Sequence, residues 1–132
     1  ITNAFAIEVD FSSWAAEGRL EIGPYQGTPG GTERATGYPL AYTPGGGLEL
    51  LRVSTRGTSV INSTPGPLNL EDKKTHRLEW TRGTDGSMII SIDAKQVLAA
   101  TDLGFRQDFD GLRMVNRGGD YNFKRFALYR TR

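Results

Sequence analysis

The chain contains no cysteine and a single histidine among its 132 residues. Without cysteine it cannot form a disulfide framework, use a thiol as a nucleophile or build a zinc site on thiolates. No stretch approaches the roughly 18 consecutive apolar residues of a membrane-spanning helix, so we expect no membrane span. Sixteen basic and fifteen acidic residues leave a net charge of only +1, which argues against a nucleic-acid partner.

Glycine is plentiful, with seventeen residues, and it separates short segments in which apolar and polar residues alternate. In residues 75–93 the alternation continues on both sides of the Gly-Thr-Asp-Gly run at 83–86, and alternation around an Asp-Gly turn predicts a β-hairpin. Similar segments predict about ten strands and no helix. We therefore expect residues 1–132 to form one all-β domain, an antiparallel β-sandwich. Because the chain starts at Ile1 and shows no signal peptide, we expect this domain to be excised from a larger protein.

Three longer segments lack the alternation and predict loops, namely residues 24–37, 65–74 and 102–110. The first is rich in glycine and is long for a connection, which is typical of a functional or mobile loop. The other two contain apolar residues that we expect to pack inward beneath the loops: Leu68, Leu70, Phe105 and Phe109.

The segment HRLEWTRGTDGSMIISIDAKQVL, residues 76–98, resembles a strand pair common in concanavalin A-like lectin/glucanase jelly rolls. In that group the second strand often ends in Asp-Gly-Lys, whereas this chain has Asp93-Ala94-Lys95 and lacks the usual glycine. The segment FDGLRMVNRGGDYNFKRFALY, residues 109–129, resembles the closing strand pair of the same group. The resemblance implies a jelly roll of the kind found in LamG-like carbohydrate-binding domains.

The superfamily includes carbohydrate-binding modules, lectins, glycoside hydrolases and polysaccharide lyases, so the resemblance implies a sugar ligand without selecting a reaction. We expect a non-catalytic domain that binds a polysaccharide or oligosaccharide in a secreted or periplasmic protein, beside a catalytic domain in the same parent chain. Two alternatives stay open. The domain could be a small glycoside hydrolase or lyase, or it could be an accessory sandwich with a structural or protein-interaction role.

The acidic residues argue against catalysis. Laminarinase-like enzymes of this fold carry two glutamates and an aspartate on one strand, and here Glu8 and Asp10 are followed by Ser12 and Ser13 where the second glutamate would stand. Glycoside hydrolysis requires two carboxylates, so we interpret the acidic residues as an ion-paired sheet face. His76, the single histidine, could serve a catalytic triad or a lyase, but its place at a strand start favours a structural role.

Aromatic side chains are the strongest candidates for ligand contact, because a sugar ring presents an apolar C–H face that stacks on tryptophan or tyrosine. Some aromatic residues follow the apolar alternation and are assigned to the core: Phe5, Trp80 and Phe126. Others fall outside it and are predicted to bind the sugar: Trp14, Tyr25, Tyr38, Tyr42 and Tyr121.

The polar candidates lie on strands or in turns, and twelve of the sixteen basic residues are arginine. We expect hydrogen bonds to the ligand from the concave sheet or the loop edge, through Arg52, Arg77, Arg113, Asn116, Arg117 and Asp120. If the arginines share the concave sheet, their planar forks favour an acidic polysaccharide. If they alternate with glutamates, they form cross-strand ion pairs instead.

The sequence requires no cofactor, although jelly rolls of this type sometimes hold a structural calcium ion. Calcium binds six to eight oxygen atoms, and three aspartates in turns are weak candidates: Asp108, Asp110 and Asp120. Aspartate also favours turns without any metal, because its side chain hydrogen-bonds to the backbone of the turn.

Overall fold

A computed structural model describes residues 1–14, 17–27 and 36–130. These residues form eleven strands and no helix. The strands are β1 (Phe5–Ser13), β2 (Arg19–Gln26), β3 (Thr36–Gly37), β4 (Leu40–Thr43), β5 (Gly47–Ser54), β6 (Gly57–Ser63), β7 (His76–Arg82), β8 (Ser87–Ile92), β9 (Lys95–Thr101), β10 (Gly111–Arg117) and β11 (Tyr121–Arg130). None of the described residues belongs to a helix that could span a membrane.

The strands form two sheets in which every pair of neighbours is antiparallel. The five-stranded sheet has the order β11-β1-β7-β8-β9. In the six-stranded sheet β10 pairs with β2, the short strands β3 and β4 lie in turn between β2 and β5, and β6 pairs with β5. The predicted all-β antiparallel sandwich is confirmed.

The hairpin predicted from residues 75–93 is the β7–β8 pair. Its alternation turns Leu78 and Trp80 to the interior, opposite Ile92 and Ile90 on β8. Trp80 is fully buried and packs edge-on against Phe5 of β1, with ring centroids 5.5 Å apart. Burying side chains of this size contributes about 2–3 kcal/mol each, so this hairpin is a major part of the core.

The loops complete the core, as their apolar residues predict. Leu70 from the 65–74 segment is buried, and Leu68 is partly buried against the core. Phe105 and Phe109 are buried as well and lie 5.9 Å apart, close to the ring of Tyr38. The apolar residues of these loops therefore close the core at the two ends of the sandwich.

Two predictions about the chain's organisation were wrong. Phe126 faces the interior opposite Val9, but β11 is an edge strand, and 42% of the Phe126 side chain stays exposed. Residues 24–37 are not one loop, because Pro24 to Gln26 extend β2 and Thr36–Gly37 form β3. Residues 28–35 lie outside the described part of the chain.

The turn between β8 and β9 generates a prediction. Asp93 and Ala94 both have positive φ, of 53° and 67°. The left-handed region costs an L-residue about 1–2 kcal/mol, and glycine avoids this penalty but loses about 0.5–1 kcal/mol through chain entropy. Replacing Ala94 by glycine should therefore raise the free energy of unfolding by about 0.5–1 kcal/mol, measured by urea denaturation. Ala99→Gly, within strand β9, is the control and should be destabilising; equal effects of the two changes would contradict the prediction.

Candidate functional site

A shallow depression lies on the outer face of the six-stranded sheet. Leu20 and Ile22 of β2 are buried in the interior, so the alternate residues Glu21, Gly23 and Tyr25 point outward. The antiparallel register extends this outer face to neighbouring strands, where Gly23 is opposite Arg113 of β10. The depression is shallow, with a cavity volume of about 30 Å³, and is open to solvent. Its outward-facing lining comprises Glu21, Gly23, Tyr25, Gly37, Val53, Arg113 and Val115.

Two glycines form the floor of the depression. A Cβ atom on Gly23 would lie 1.7 Å from the backbone oxygen of Tyr38, and one on Gly37 would lie 2.2 Å from that of Pro24. No side chain fits at such distances, since real Cβ atoms do not approach backbone oxygen below about 3 Å. The backbones of β2 and β3 thus come together where the sheet carries no side chains, and a recess is left between the flanking residues.

Tyr25 and Arg113 flank this recess with different chemistry. Tyr25 is partly exposed, and its ring covers the backbone of Gly111, where an added Cβ would lie 2.9 Å from the Tyr25 hydroxyl. Arg113 is exposed, and its side chain has no hydrogen bond or ion pair with any residue in 1–14, 17–27 and 36–130. The site thus combines an aromatic surface with a guanidinium whose five N–H donors are available.

Glu21 is the one carboxylate among the described residues that line the depression. Its Oε1 lies 3.3 Å from Nε of Arg19, which also approaches Glu49 at 3.8 Å. Hydrolysis of a glycosidic bond by the usual route requires two carboxyl groups facing each other across the bond. The described lining therefore suits the binding of a polar ring better than its cleavage.

Five of the predicted site residues lie at the other end of the sandwich. Arg19 and Arg117 are paired at that end of β2 and β10, while Tyr25 and Gly111 are paired at the end near the depression. Six residues of strand separate the two pairs, a distance of about 20 Å. The second group consists of Trp14, Asn116, Arg117, Asp120 and Tyr121, and of these Arg117 lies two residues along β10 from Val115, which lines the depression.

Within this group most polar atoms maintain the β10–β11 turn. The side chain of Asn116 accepts a hydrogen bond from Gly119 N–H at 3.0 Å and donates one to Gly119 O at 2.9 Å. The Asp120 carbonyl accepts the hydroxyl of Ser13 at 2.8 Å. The Tyr121 ring stacks on Phe123, with centroids 5.8 Å apart. Trp14, with 51% of its surface exposed, is the most open aromatic residue at this end.

Tyr38 and Tyr42 are buried in the core, which corrects their predicted role in stacking. The Tyr38 hydroxyl hydrogen-bonds to Asp102 Oδ1 at 2.5 Å, and burial together with this bond raises the pKa of Tyr38. The Tyr42 hydroxyl contacts Glu71 and accepts the backbone N–H of Leu70 at 3.1 Å, and burial likewise raises the pKa of Tyr42. Neither ring exposes a face, because both side chains point inward from the sheet.

Arg52 and Arg77 also lie away from the depression. Arg52 forms an ion pair with Asp102 Oδ2 at 2.9 Å, at the edge of the core. Arg77 lies on the outer face of the five-stranded sheet and binds both oxygens of Asp10, at 2.8 and 3.0 Å. The hydrogen bond from Arg77 is the main cause that lowers the pKa of Asp10. The sequence could not separate these arginines from Arg113, because it does not specify which sheet each strand joins.

The acidic strand β1 is ion-paired, as we interpreted it from the sequence. Asp10 is held by Arg77, and Glu8 accepts Nη1 of Arg125 at 2.8 Å. Glu79 is directly opposite Glu8 on β7, where the two like charges repel, so the ion pairs of β1 are those with Arg77 and Arg125. Such exposed pairs contribute at most about 1 kcal/mol each. Carboxylates neutralised in this way are poor candidates for acid–base catalysis.

The three aspartates considered for calcium do not converge. Asp108 Oδ1 accepts the backbone N–H of Asn3, and Asp110 Oδ2 accepts that of Gly27, both at 2.7 Å. Asp120 follows the opposite end of β10. The described residues contain no group of three or more histidine, cysteine or acidic side chains suited to a metal ion. In this part of the chain Asp108 and Asp110 therefore fix the backbone of the connections they lie in.

His76 is a structural clamp. Its Nδ1 lies 2.6 Å from Asp93 Oδ2, and its Nε2 lies 2.7 Å from Asp72 Oδ1, so both ring nitrogens face carboxylates. Burial alone would lower the pKa of His76, but the hydrogen bonds to Asp93 and Asp72 outweigh it and the pKa is raised. The clamp joins the 65–74 loop to the β8–β9 turn. The structural role predicted for His76 is confirmed.

Sequence reasoning missed the glycine floor and Glu21. The sequence did indicate this face, because Glu21, Gly23 and Tyr25 are alternate residues of one strand. Because Pro24 was assigned to the start of a loop, Tyr25 was not recognised as continuing the strand face of Glu21 and Gly23. Val53 could not have been assigned, since it reaches the depression only through the pairing of β5 with β3 at Gly37.

The floor of the depression provides a test of its geometry. Because a Cβ on Gly23 would overlap the Tyr38 carbonyl, Gly23→Ala should force β2 away from its neighbour and lower the free energy of unfolding by about 2 kcal/mol or more. Gly66→Ala is the matched control, since no atom lies within 4 Å of its added Cβ, and it should change stability by less than about 0.5 kcal/mol. Chemical denaturation measures both; a tolerated alanine at position 23 would disprove the close approach.

The His76 clamp makes stability depend on pH. A raised pKa in the folded state stabilises the fold below the unfolded value of 6.5, and this contribution disappears as the pH rises through the folded pKa. The pKa values of Asp72 and Asp93 are lowered, so their contribution disappears only as the pH falls below about 4. His76→Gln should therefore lower the free energy of unfolding most near pH 5–6 and least near pH 9. Urea denaturation at several pH values tests this, and a constant difference would refute the clamp.

Comparison of the sequence with models of known protein families gives no match, and comparison with curated proteins gives none either. Solved structures do match the fold. The carbohydrate-binding module CBM66 from Bacillus subtilis superposes with a TM-score of 0.71 at 19% identity, over 95% of this chain and 74% of that one. Sheep galectin-11, in complex with glycerol, superposes with a TM-score of 0.68 at 8% identity, over 98% of this chain and 92% of that one.

A third similar structure is the CBM40 module of Ruminococcus gnavus IT-sialidase bound to α2,3-sialyllactose. It gives a TM-score of 0.67 at 11% identity and covers 98% of this chain and 77% of the module. These identities are low, so the likeness concerns the arrangement of strands and not the residues of a site. The chain has a jelly-roll β-sandwich fold, which it shares with these solved structures.

Proposed function

We propose that this chain is a non-catalytic carbohydrate-binding domain, and that the sugar binds in the depression on the outer face of the six-stranded sheet. The observation that carries the proposal is the partly exposed ring of Tyr25 beside Arg113, whose side chain has no partner among the described residues, above a floor of glycine backbone. The floor lets a flat ring approach the sheet closely. The walls offer the apolar and polar contacts that a sugar needs.

Each wall has a defined role in this proposal. The exposed part of the Tyr25 ring packs against the C–H face of a pyranose, which is amphipathic in the same way as tyrosine. Arg113 donates hydrogen bonds to ring substituents, and Glu21 accepts them from hydroxyl groups. The fold gives independent support, because two of the similar structures are carbohydrate-binding modules and one of these is bound to sialyllactose.

We further propose a preference for acidic glycans. Arg113 lacks a carboxylate partner in the described residues, whereas Arg19, Arg52, Arg77 and Arg125 each have one. A sugar carboxylate or sulfate would supply that partner through a bidentate, charge-assisted pair, worth about 1.5–3 kcal/mol. A neutral sugar offers no anionic partner, so the charge of the guanidinium would stay solvated by water. The preference therefore depends on one side chain and can be tested separately from binding itself.

The setting of the domain is also part of the proposal. A module that binds polysaccharide serves a protein that meets polysaccharide, so we place this domain in a secreted or periplasmic protein that also carries a catalytic domain. Trp14 and Arg117 are exposed at the other end of the sandwich, and Arg117 lies six residues along β10 from Gly111, about 20 Å. They are candidates for a second contact with a long chain.

Isothermal titration calorimetry with oligogalacturonate, sulfated oligosaccharide and neutral glucan oligosaccharides tests the site. Tyr25→Ala should weaken binding of every ligand at least tenfold, because it removes the stacking surface. Arg113→Ala should weaken binding of the acidic ligands about tenfold and that of neutral ligands much less, which corresponds to a loss of about 1.4 kcal/mol. Binding of acidic ligands should also weaken as salt is added.

Matched variants on other surfaces serve as controls. Tyr129→Ala removes an exposed tyrosine from the five-stranded sheet, and Arg56→Ala removes an exposed arginine from the β5–β6 turn. Both should leave the affinity unchanged. No binding to any glycan would refute the function. Binding that survives Tyr25→Ala but fails in a Trp14→Ala variant would refute the site and move it to the other end of the sheet.

A further inference from the structure

The two sheets end on the same side of the sandwich, in strands β10 and β11. β10 pairs only with β2, and β11 pairs only with β1, among the strands that the structure describes. The two edge strands are consecutive in the chain and are joined by the turn at 118–120. The outer edge of each therefore presents a row of backbone N–H and C=O groups to solvent. We call this side, formed by residues 111–130, the open edge.

Apolar side chains that face the interior stay exposed along the open edge. Phe126 and Leu128 are opposite Val9 and Ile7, which are fully buried, yet they are 42% and 47% exposed. Met114 of β10 is opposite the buried Ile22 and is 45% exposed. The residues that the structure describes thus leave the core uncovered between the two edge strands, in contrast to the scattered single residues that most surfaces expose.

The open edge is also strongly basic. Residues 111–130 contain five basic residues and one acidic residue, whereas the remaining 112 residues contain eleven basic and fourteen acidic. The positive charge is thus concentrated at the edge, where Lys124, Arg125 and Arg130 lie on β11. Arg125 is paired with Glu8, and Lys124 donates to the hydroxyl of Thr75, which is uncharged. A ligand of this edge is expected to carry negative charge.

We propose that the open edge binds an extended acidic and apolar segment of a partner protein, which adds as a strand to β11. Added strands gain main-chain hydrogen bonds from the free edge and specificity from alternate side chains. One set of side chains would lie inward against Phe126 and Leu128, and the other set outward beside Arg125 and Tyr129. The fitting segment therefore alternates apolar and acidic residues.

Two other occupants fit less well. A second copy of this chain would bring the same positive charge to the edge, and the register of β11 is also interrupted by a bulge at Lys124, a feature that blocks pairing between identical edges. An acidic polysaccharide would satisfy the charge but not the exposed Met114, Phe126 and Leu128. β11 is the favoured partner over β10 because it offers ten residues against seven and is remote from Arg113.

Titration of the ¹⁵N-labelled chain with a ten-residue peptide of alternating valine and glutamate, followed by NMR, tests the proposal. The largest shift changes are expected for amides of β11, with smaller ones on β10. A peptide in which lysine replaces glutamate is the ligand control and should bind at least tenfold more weakly. Leu128→Glu should also weaken binding at least tenfold, while Val60→Glu, which alters a 55% exposed valine on β6, should have no effect.

Three results would overturn the proposal. The first is the absence of shift changes on β10 and β11 at millimolar peptide, with the folded spectrum intact. The second is a response of the same amides to oligogalacturonate that exceeds their response to the peptide, which would assign the edge to a glycan. The third is a dimer that forms through this edge without peptide, seen as a concentration-dependent mass in light scattering that Leu128→Glu abolishes.

Discussion

The buried guanidinium of Arg82 holds together the end of the sandwich on which the depression depends. Arg82 is 1% exposed, and its nitrogens donate to the backbone oxygens of Asn3, Phe105 and Asp102 at 2.6–3.2 Å. It also lies over the ring of Tyr38, 5.2 Å from the centroid. One cation thus satisfies carbonyl groups from the start of the chain and the 102–110 loop, where unsatisfied buried groups would cost about 1–3 kcal/mol each.

Tyr38 links the contacts of Arg82 in the core to the backbone of the outer face. Its ring is fixed from the inside by Arg82 and Asp102, while its backbone N–H donates to Pro24 O at 3.1 Å and its carbonyl approaches Gly23. The core thereby sets how close β2 and its neighbour come, and this approach creates the recess. The buried tyrosine therefore contributes to the depression only indirectly, through the shape of the floor that its backbone helps to form.

Local alternation and residue type together explain most of what could be predicted. The β7–β8 hairpin, the buried Phe105 and Phe109 and the paired Glu8 and Asp10 follow from residue type and spacing. The site was predicted less completely: Tyr25 and Arg113 flank the depression, but the other candidates lie in the core, on the second sheet or at the far end. Tyr38 and Tyr42 sit between glycine and proline, where the pattern is too short to reveal its phase.

The sequence by itself determined the class of fold, since a period of two residues interrupted by glycine is typical of short antiparallel strands with one solvated face. It also determined which face of most strands is apolar. Only the tertiary structure decided which strands are neighbours, because pairing such as that of β1 with β11 joins residues more than a hundred positions apart. For this reason a glycine in β2, a valine in β5 and an arginine in β10 line one depression that no local pattern could reveal.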